Sequence, residues 1–182
     1  AVQKKGYSIL LDALALLPSH CAWQLDHVGG GPLLPTLRTR AEVLGIAQHI
    51  RWHGAQPQDQ VIAHYQQAEV FVLASVIAAD GDRDGLPNVL MEAQSQRLAC
   101  VASDVSAVSE LIENERSGLL VAAGDARQLA HALERVISDR PLRSRLARAG
   151  EVRVRQYFDM RDGIEMLLRH FQPATAKRLD PL

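Results

Sequence analysis

The segment Asp84-Gly85-Leu86-Pro87-Asn88-Val89-Leu90-Met91-Glu92 sets two carboxylates eight residues apart around a proline. Pro87 suits the first turn of a helix, where its missing N–H would have had no partner. The free N–H groups of Gly85, Leu86 and Asn88 can then converge on an anion, with the helix dipole behind them. Such a turn is a phosphate site. Asp84 falls beside the anion and Glu92 about one turn further on, and each ionised carboxylate can accept from sugar or ribose hydroxyls. Spacing alone leaves a second reading open, in which Asp84 caps the helix and Glu92 is a surface residue.

Lys4 and Lys5 precede Gly6 at the start of a helical segment. Ligands of open α/β sheets bind at the carboxyl ends of strands, and a lysine ammonium there can neutralise a diphosphate; terminal lysines are otherwise simply solvated. Gly29-Gly30-Gly31-Pro32 is not a dinucleotide fingerprint, because that spacing needs glycine at Leu34. It is not a P-loop either. None of the seven histidines pairs at i, i+4 around a carboxylate, His27 and His53 read as strand ends, and no metal site is expected. Cys21 and Cys100 lack Cys-x-x-Cys spacing and read as two core thiols of a reduced compartment.

Strand-length apolar runs alternate with segments of helical period, the pattern of β-α units around a parallel sheet. Helices are expected over Tyr7–Leu17, from Pro32 to about Leu44, over Pro57–Tyr65, Pro87–Ser95 and Val105–Ile112. Strands are expected at Trp23–Val28, Ile50–His53, Val70–Leu73, Ala99–Ala102 and Leu119–Val121. Val70–Leu73 is a continuous apolar run of the kind buried on both faces and is expected to be central. The charged stretch Ala78–Asp84 reads as a loop at the carboxyl end of that strand. Beyond Gly124 only helices follow. Leu129, Leu133, Val136 and Ile137 share one face, and Pro141 opens a basic helix whose Arg143, Arg145, Arg148, Arg153 and Arg155 read as a solvated face.

With 182 residues, 20 basic against 21 acidic and 47% apolar, the chain fits one soluble domain, residues 1–172, with a tail at 173–182. The near-neutral balance argues against nucleic acid held by phosphate neutralisation, and 4% aromatics against a stacking platform for single strands. No apolar run approaches the roughly 20 residues of a membrane span. The opening on Ala1, without a signal pattern, reads as a fragment.

Lys4-Lys5-Gly6-Tyr7, Val28-Gly29-Gly30-Gly31-Pro32, His53-Gly54, the run from Asp84 to Ala93, Ser109-Glu110-Leu111-Ile112 and Ser117-Gly118-Leu119-Leu120-Val121 occur in one order. With that ordered set the chain, from Gln3 to Phe158, resembles the C-terminal domain of family-four retaining glycosyltransferases. The resemblance implies an α/β fold: a Rossmann-like parallel sheet flanked by helices, one half of a GT-B enzyme, with helices at its C-terminus. It implies transfer of a sugar, with retention of configuration, from a nucleotide-diphosphate sugar to a polysaccharide or glycolipid acceptor. Lys5 is implied to contact the diphosphate, Glu92 the ribose hydroxyls and Asp84 the transferred sugar, which gives Lys5 and Asp84 the catalytic roles. Gly54, Gly85, Leu86, Pro87, Asn88 and Val89 complete the implied donor site.

No metal or other cofactor is implied, so positive groups of the protein must stabilise the leaving nucleoside diphosphate. The implied partners are the donor, the saccharide or glycolipid acceptor and a preceding acceptor domain, without which the fragment is expected to be inactive. The expected location is cytoplasmic, with room for peripheral contact at the inner face of the membrane. The chain departs from the family pattern at Asp84, where glutamate is usual; at Arg97 and Ala99, which replace a glycine and a proline; at Gln3 for glutamate; and at Gly30 for aspartate. The alternative is a degenerate domain that binds a nucleotide sugar or a partner protein without transfer. A GT-B sugar epimerase would need acid and base residues facing the sugar, and no convincing set is present.

Overall fold

The computed structural model describes residues 1–158 and Leu168; the expected tail at 173–182 lies outside the described residues. A 3-10 turn at Gln3–Lys5 leads into α1 (Tyr7–Ala15), β1 (Leu25–Val28), α2 (Leu34–Val43), β2 (Ile50–Gly54), α3 (Gln58–Gln67) and β3 (Val70–Leu73). Then follow α4 (Asn88–Ser95), β4 (Ala99–Ser103), α5 (Val108–Leu111), β5 (Leu119–Val121), α6 (Ala126–Ser138) and α7 (Arg140–Tyr157). Every strand pair is parallel: β1 pairs with β2, and β3, β4 and β5 pair in that order.

Alternation along β4 explains why helices cover both sides. Ala99 and Val101 join a cluster with Leu10, Leu14, Leu129, Leu133 and Val136 of α1 and α6. Cys100 and Ala102 face the other way, onto Leu90, Ala93 and Leu111 of α4 and α5 and Val154 of α7. Successive side chains of a strand point to opposite faces, so a strand buried throughout needs a core on each side.

Two sequence expectations are corrected here. Among the described residues β3 pairs only with β4, and Val70–Val72 are half-buried; the strand buried at all five positions is β4. Four large apolar residues signalled two covered faces for β3, as observed, but not its place in the order. The small residues of β4 understated how completely it is enclosed. The edge of β1 away from β2 and the edge of β3 away from β4 pair with no other described strand. Between their carboxyl ends lies the N-terminal segment: the amino group of Ala1 donates to Gly30 O, and the Val76 N–H donates to Lys4 O at 2.9 Å.

The second correction concerns the arginines of α7. Arg143 donates to Val136 O and Ile137 O at 2.8 and 2.9 Å, at the last turn of α6. Arg153 donates to Leu111 O and Glu110 O at 2.7 and 2.8 Å, at the end of α5. Cations at helix carboxyl ends satisfy carbonyls that have no intrahelical partner and complement the dipole. These two arginines are therefore clasps between helices, whereas Arg148 is exposed as expected.

α4 ends in a Schellman turn: the Leu98 N–H donates to Ala93 O at 3.1 Å and the Arg97 N–H to Gln94 O at 2.9 Å. Arg97 is left-handed, with φ of 61°, at the position where the family pattern has glycine. A side chain there costs roughly 1–2 kcal/mol of backbone strain. The pair of Arg97 with Glu151 at 2.5 Å, on a guanidinium 60% exposed, is screened by solvent and offsets only part of that strain. Arg97→Gly is expected to stabilise the domain by about 0.5–1 kcal/mol and to raise the thermal midpoint by about 1–4 °C; a lowered midpoint in calorimetry would show that the ion pair outweighs the strain.

His27, on β1, is buried between Tyr7 and Trp52, with ring centroids 4.8 and 5.1 Å away, and neither ring nitrogen finds a partner. Burial holds its pKa below the ordinary histidine value. A pKa lowered on folding means that the unfolded chain binds the proton more readily. Titration of His27 then takes nothing from stability above about pH 6.5, and stability falls as the pH drops below that value. Urea unfolding between pH 7.5 and 5 should show this fall, and His27→Phe should flatten it; an unchanged slope in the variant would assign the fall elsewhere.

Candidate functional site

The site begins at Gly6, which closes the 3-10 turn and opens α1 with φ of 61°. Its bare Cα lies so close to Ala74, just past β3, that a Cβ would overlap the Ala74 carbonyl oxygen. This approach carries the lysines to the end of β3. Lys5 Nζ lies 2.7 Å from Asp84 Oδ2, and Lys4 Nζ lies 3.1 Å from Asp82 Oδ1 and 3.7 Å from Asp84 Oδ1. Ser75, itself buried, donates its hydroxyl to Asp84 Oδ2 at 3.4 Å. The hydrogen bond to Asp82, more than any other neighbour, pushes the Lys4 pKa up.

Asp84 ends a loop with its own internal order. The Ala78 N–H donates to Asp82 O and the Gly81 N–H to Ala78 O, both at 2.9 Å, and the Asp82 N–H donates to Asp80 Oδ1 at 3.0 Å. Asp84 does not cap the helix. Pro87 stands at the N-cap with extended backbone, α4 starts one residue later at Asn88, and no side chain bonds the cap. Among the described residues the N–H groups of Gly85, Leu86, Asn88 and Val89 have no protein acceptor. Gly85 and Asn88 are exposed.

Glu92 lies in the second turn of α4, half-buried, and accepts from the Tyr65 hydroxyl at 3.4 Å. Burial first, then the Glu92 charge, pushes the Tyr65 phenol far up, so it stays a protonated donor. Tyr65 orients the carboxylate. Sequence reading took it only as the end of a helix, and no spacing signalled contact with a residue 27 positions later. Gly54, left-handed at 72°, ends β2 and accepts from the Gly29 N–H at 2.7 Å, which ties the glycine turn to the same carboxyl edge. Ser109 to Ile112 and Ser117 to Val121 instead serve packing: Leu111, Ile112 and Leu119 are core residues, and a Cβ on Gly118 would sit 2.8 Å from Cys100 O.

A cleft of about 360 Å³ runs along α6, lined by residues including Asn114, Gln128, His131 and Arg135, and none of the predicted site residues reaches it. Its Arg135 is paired with Glu115 at 2.6 Å. Two groups of metal-capable side chains converge among the described residues, His20 with Cys21 and Glu134, and Asp26 with His53 and His64, each with donor atoms within 4.8 Å. Both are assembled across elements that sequence spacing does not relate.

A lysine beside free amides at a helix start, with a carboxylate on either side, suits a phosphorylated sugar compound. Residues 1–153 match the family described as glycosyl transferases group 1. The chain belongs to that family. It is 34% identical over 135 residues to the amylovoran biosynthesis glycosyltransferase AmsK of Erwinia amylovora, covering 74% of this chain and 33% of that protein. It is 30% identical over 151 residues to a GDP-mannose-dependent alpha-(1-6)-phosphatidylinositol monomannoside mannosyltransferase of Mycobacterium tuberculosis, covering 82% of this chain and 39% of that one. The structure of Anabaena Alr3699/HepE in complex with UDP and glucose superimposes with a TM-score of 0.81 at 21% identity, over 93% of this chain and 45% of that one. The fold is that of GT-B glycosyltransferases, and this group 1 chain spans only about a third of the curated relatives it matches. No helix among the described residues is long and apolar enough to cross a membrane.

For this group 1 domain the approach at Gly6 is the first thing to test. Gly6→Ala should destabilise by roughly 2–4 kcal/mol, from a left-handed side chain and displacement of the Ala74 carbonyl. A change below 0.5 kcal/mol in denaturant unfolding would show that the turn moves freely from β3.

Proposed function

We propose that this chain is the donor-binding half of a retaining glycosyltransferase that takes a nucleotide-diphosphate sugar and passes the sugar to a saccharide or glycolipid acceptor. The observation that carries this reading is the Lys5–Asp84 pair at 2.7 Å beside the N–H groups of Gly85, Leu86, Asn88 and Val89, which have no acceptor among the described residues. In the bound state Lys5 turns from Asp84 to the diphosphate and, with those amides and the α4 dipole, stabilises the charge that grows as the sugar leaves. Asp84, released, accepts from the transferred sugar. Glu92, held by Tyr65, accepts from the ribose hydroxyls. No step of this scheme uses a metal, and the full protein's acceptor surface comes from a preceding domain.

What supports the donor class is the match to relatives named for GDP-mannose dependence and to a neighbour bound to UDP; the base and sugar used here are for the test to decide. The protein extended ahead of Ala1 should bind UDP, GDP or ADP in calorimetry. Glu92→Ala should weaken that binding about 10- to 100-fold, the loss of a charged hydrogen-bond acceptor. Absence of binding at millimolar diphosphate overturns the donor site. In the full-length enzyme, Asp84→Glu reads whether the shorter carboxylate is adapted. Lower transfer from the native donor means that it is; restored or raised transfer supports the degenerate alternative.

A further inference from the structure

We propose that Asp26, His53 and His64 form a site for a divalent d-block cation, with zinc as the reference ion. The pairing of β1 with β2 runs Leu25 with Ile50, Asp26 with Arg51 and His27 with Trp52, then slips, so that Val28 meets Gly54 and His53 is left as an extra residue. Bulges are rare in parallel pairs, and they re-aim the side chain they carry. Here the bulge and the left-handed Gly54 after it bring His53 Nε2 to 2.6 Å from Asp26 Oδ1. From α3, His64 lays its ring against His53, with centroids 4.4 Å apart. Three elements thus deliver two imidazoles and one carboxylate whose donor atoms lie within 4.8 Å of one another.

Two histidines with a carboxylate suit zinc, cobalt or nickel, whereas magnesium and calcium take oxygen donors almost exclusively. Tetrahedral zinc with bonds near 2.0–2.1 Å sets neighbouring donors about 3.3 Å apart. Asp26 and His53 must therefore open by less than 1 Å, as small side-chain rotations allow. Their side chains are 39% and 24% exposed, so the ion enters from solvent and water completes its shell. The second cluster is the weaker candidate. His20 and Glu134 stand 3.6 Å apart, but Cys21 is buried with its sulfur toward Ser138, and its thiol would have to lose a proton there. The proposed ion ties β1, β2 and α3 together beside Gly54, and its ligands do not include Lys5, Asp84 or Glu92.

The test is a titration of the full-length, chelator-stripped protein with Co²⁺, followed by visible d–d absorption and displacement by Zn²⁺, alongside thermal unfolding with Zn²⁺ and with Mg²⁺. The expected result is one Co²⁺ per chain, a thermal midpoint raised by Zn²⁺ and not by Mg²⁺, and Zn²⁺-dependent shifts of two imidazole ¹⁵N spin systems. His53→Gln and His64→Gln should each weaken Co²⁺ binding by at least about 10-fold, the lower end of what losing a ligand's supporting partner already costs, and each should remove one of the two shifting spin systems. Cys21→Ser should leave both signals intact. Absent d–d bands, unshifted imidazoles in the wild type, or signals lost in Cys21→Ser and kept in the histidine variants would overturn the assignment.

Discussion

At Gly6 the backbone passes so near the Ala74 carbonyl that no side chain fits between them, and the residue holds a left-handed φ of 61°. From this contact the arrangement of charge at the carboxyl end of β3 follows. The turn before Gly6 carries Lys4 and Lys5, the chain after Ala74 carries Ser75, and the loop beyond carries Asp82 and Asp84; only with turn and strand pressed together do these five meet. A one-atom difference at residue 6 is thus linked to an ion pair between residues 79 positions apart.

The sheet supplies the rigidity that such a contact requires. Because β4 and β5 alternate between two cores, neither face can shift without disturbing the other: Leu119 and Val121 belong with α1 and α6, while Leu120 packs with α4 and α5. Close-packed interiors resist such shifts. The clasps of Arg143 and Arg153 extend this to the helix ends, where packing alone leaves carbonyls unmet. The α4 amino end therefore faces the loop from a helix fixed along its length, by Leu90, Ala93 and buried Gln94 on one side and by its Schellman turn at the other end.

Much of this was legible in the residues. Five strands and the helices between them follow from apolar periodicity and turn residues, with boundary differences of a few residues: β1 starts at Leu25 instead of Trp23, α5 at Val108 instead of Val105. The loop and the helix start after Pro87 were legible because proline, glycine and charge are local signals. Strand order was not, since period-2 burial reports covered faces and carries no information about neighbours. The roles of Arg143 and Arg153 were hidden because an arginine on a polar helix face looks the same whether its guanidinium meets water or a carbonyl. Tyr65 against Glu92, and Asp26 with His53 and His64, come from long-range pairing and a register slip, which no linear spacing encodes. Arg97 is the reverse case: the departure from glycine was visible, and the structure adds that the left-handed backbone persists despite it.

The pairing of Asp84 also limits what can bind beside it. Its side chain is only 15% exposed, and a carboxylate so enclosed is costly without donors. An anion that draws Lys5 away removes the shortest of its contacts, leaving Ser75 at 3.4 Å on Oδ2 and Lys4 at 3.7 Å on Oδ1. Those two longer contacts leave Asp84 under-bonded, with lone pairs free toward the side the anion entered from. A ligand offering charge alone would trade one ion pair for another. In the donor site proposed above, one that brings a hydroxyl within reach of Asp84 as well as an anion for Lys5 satisfies both partners at once, which is the physical basis on which such a pair selects for the joint presence of the two groups.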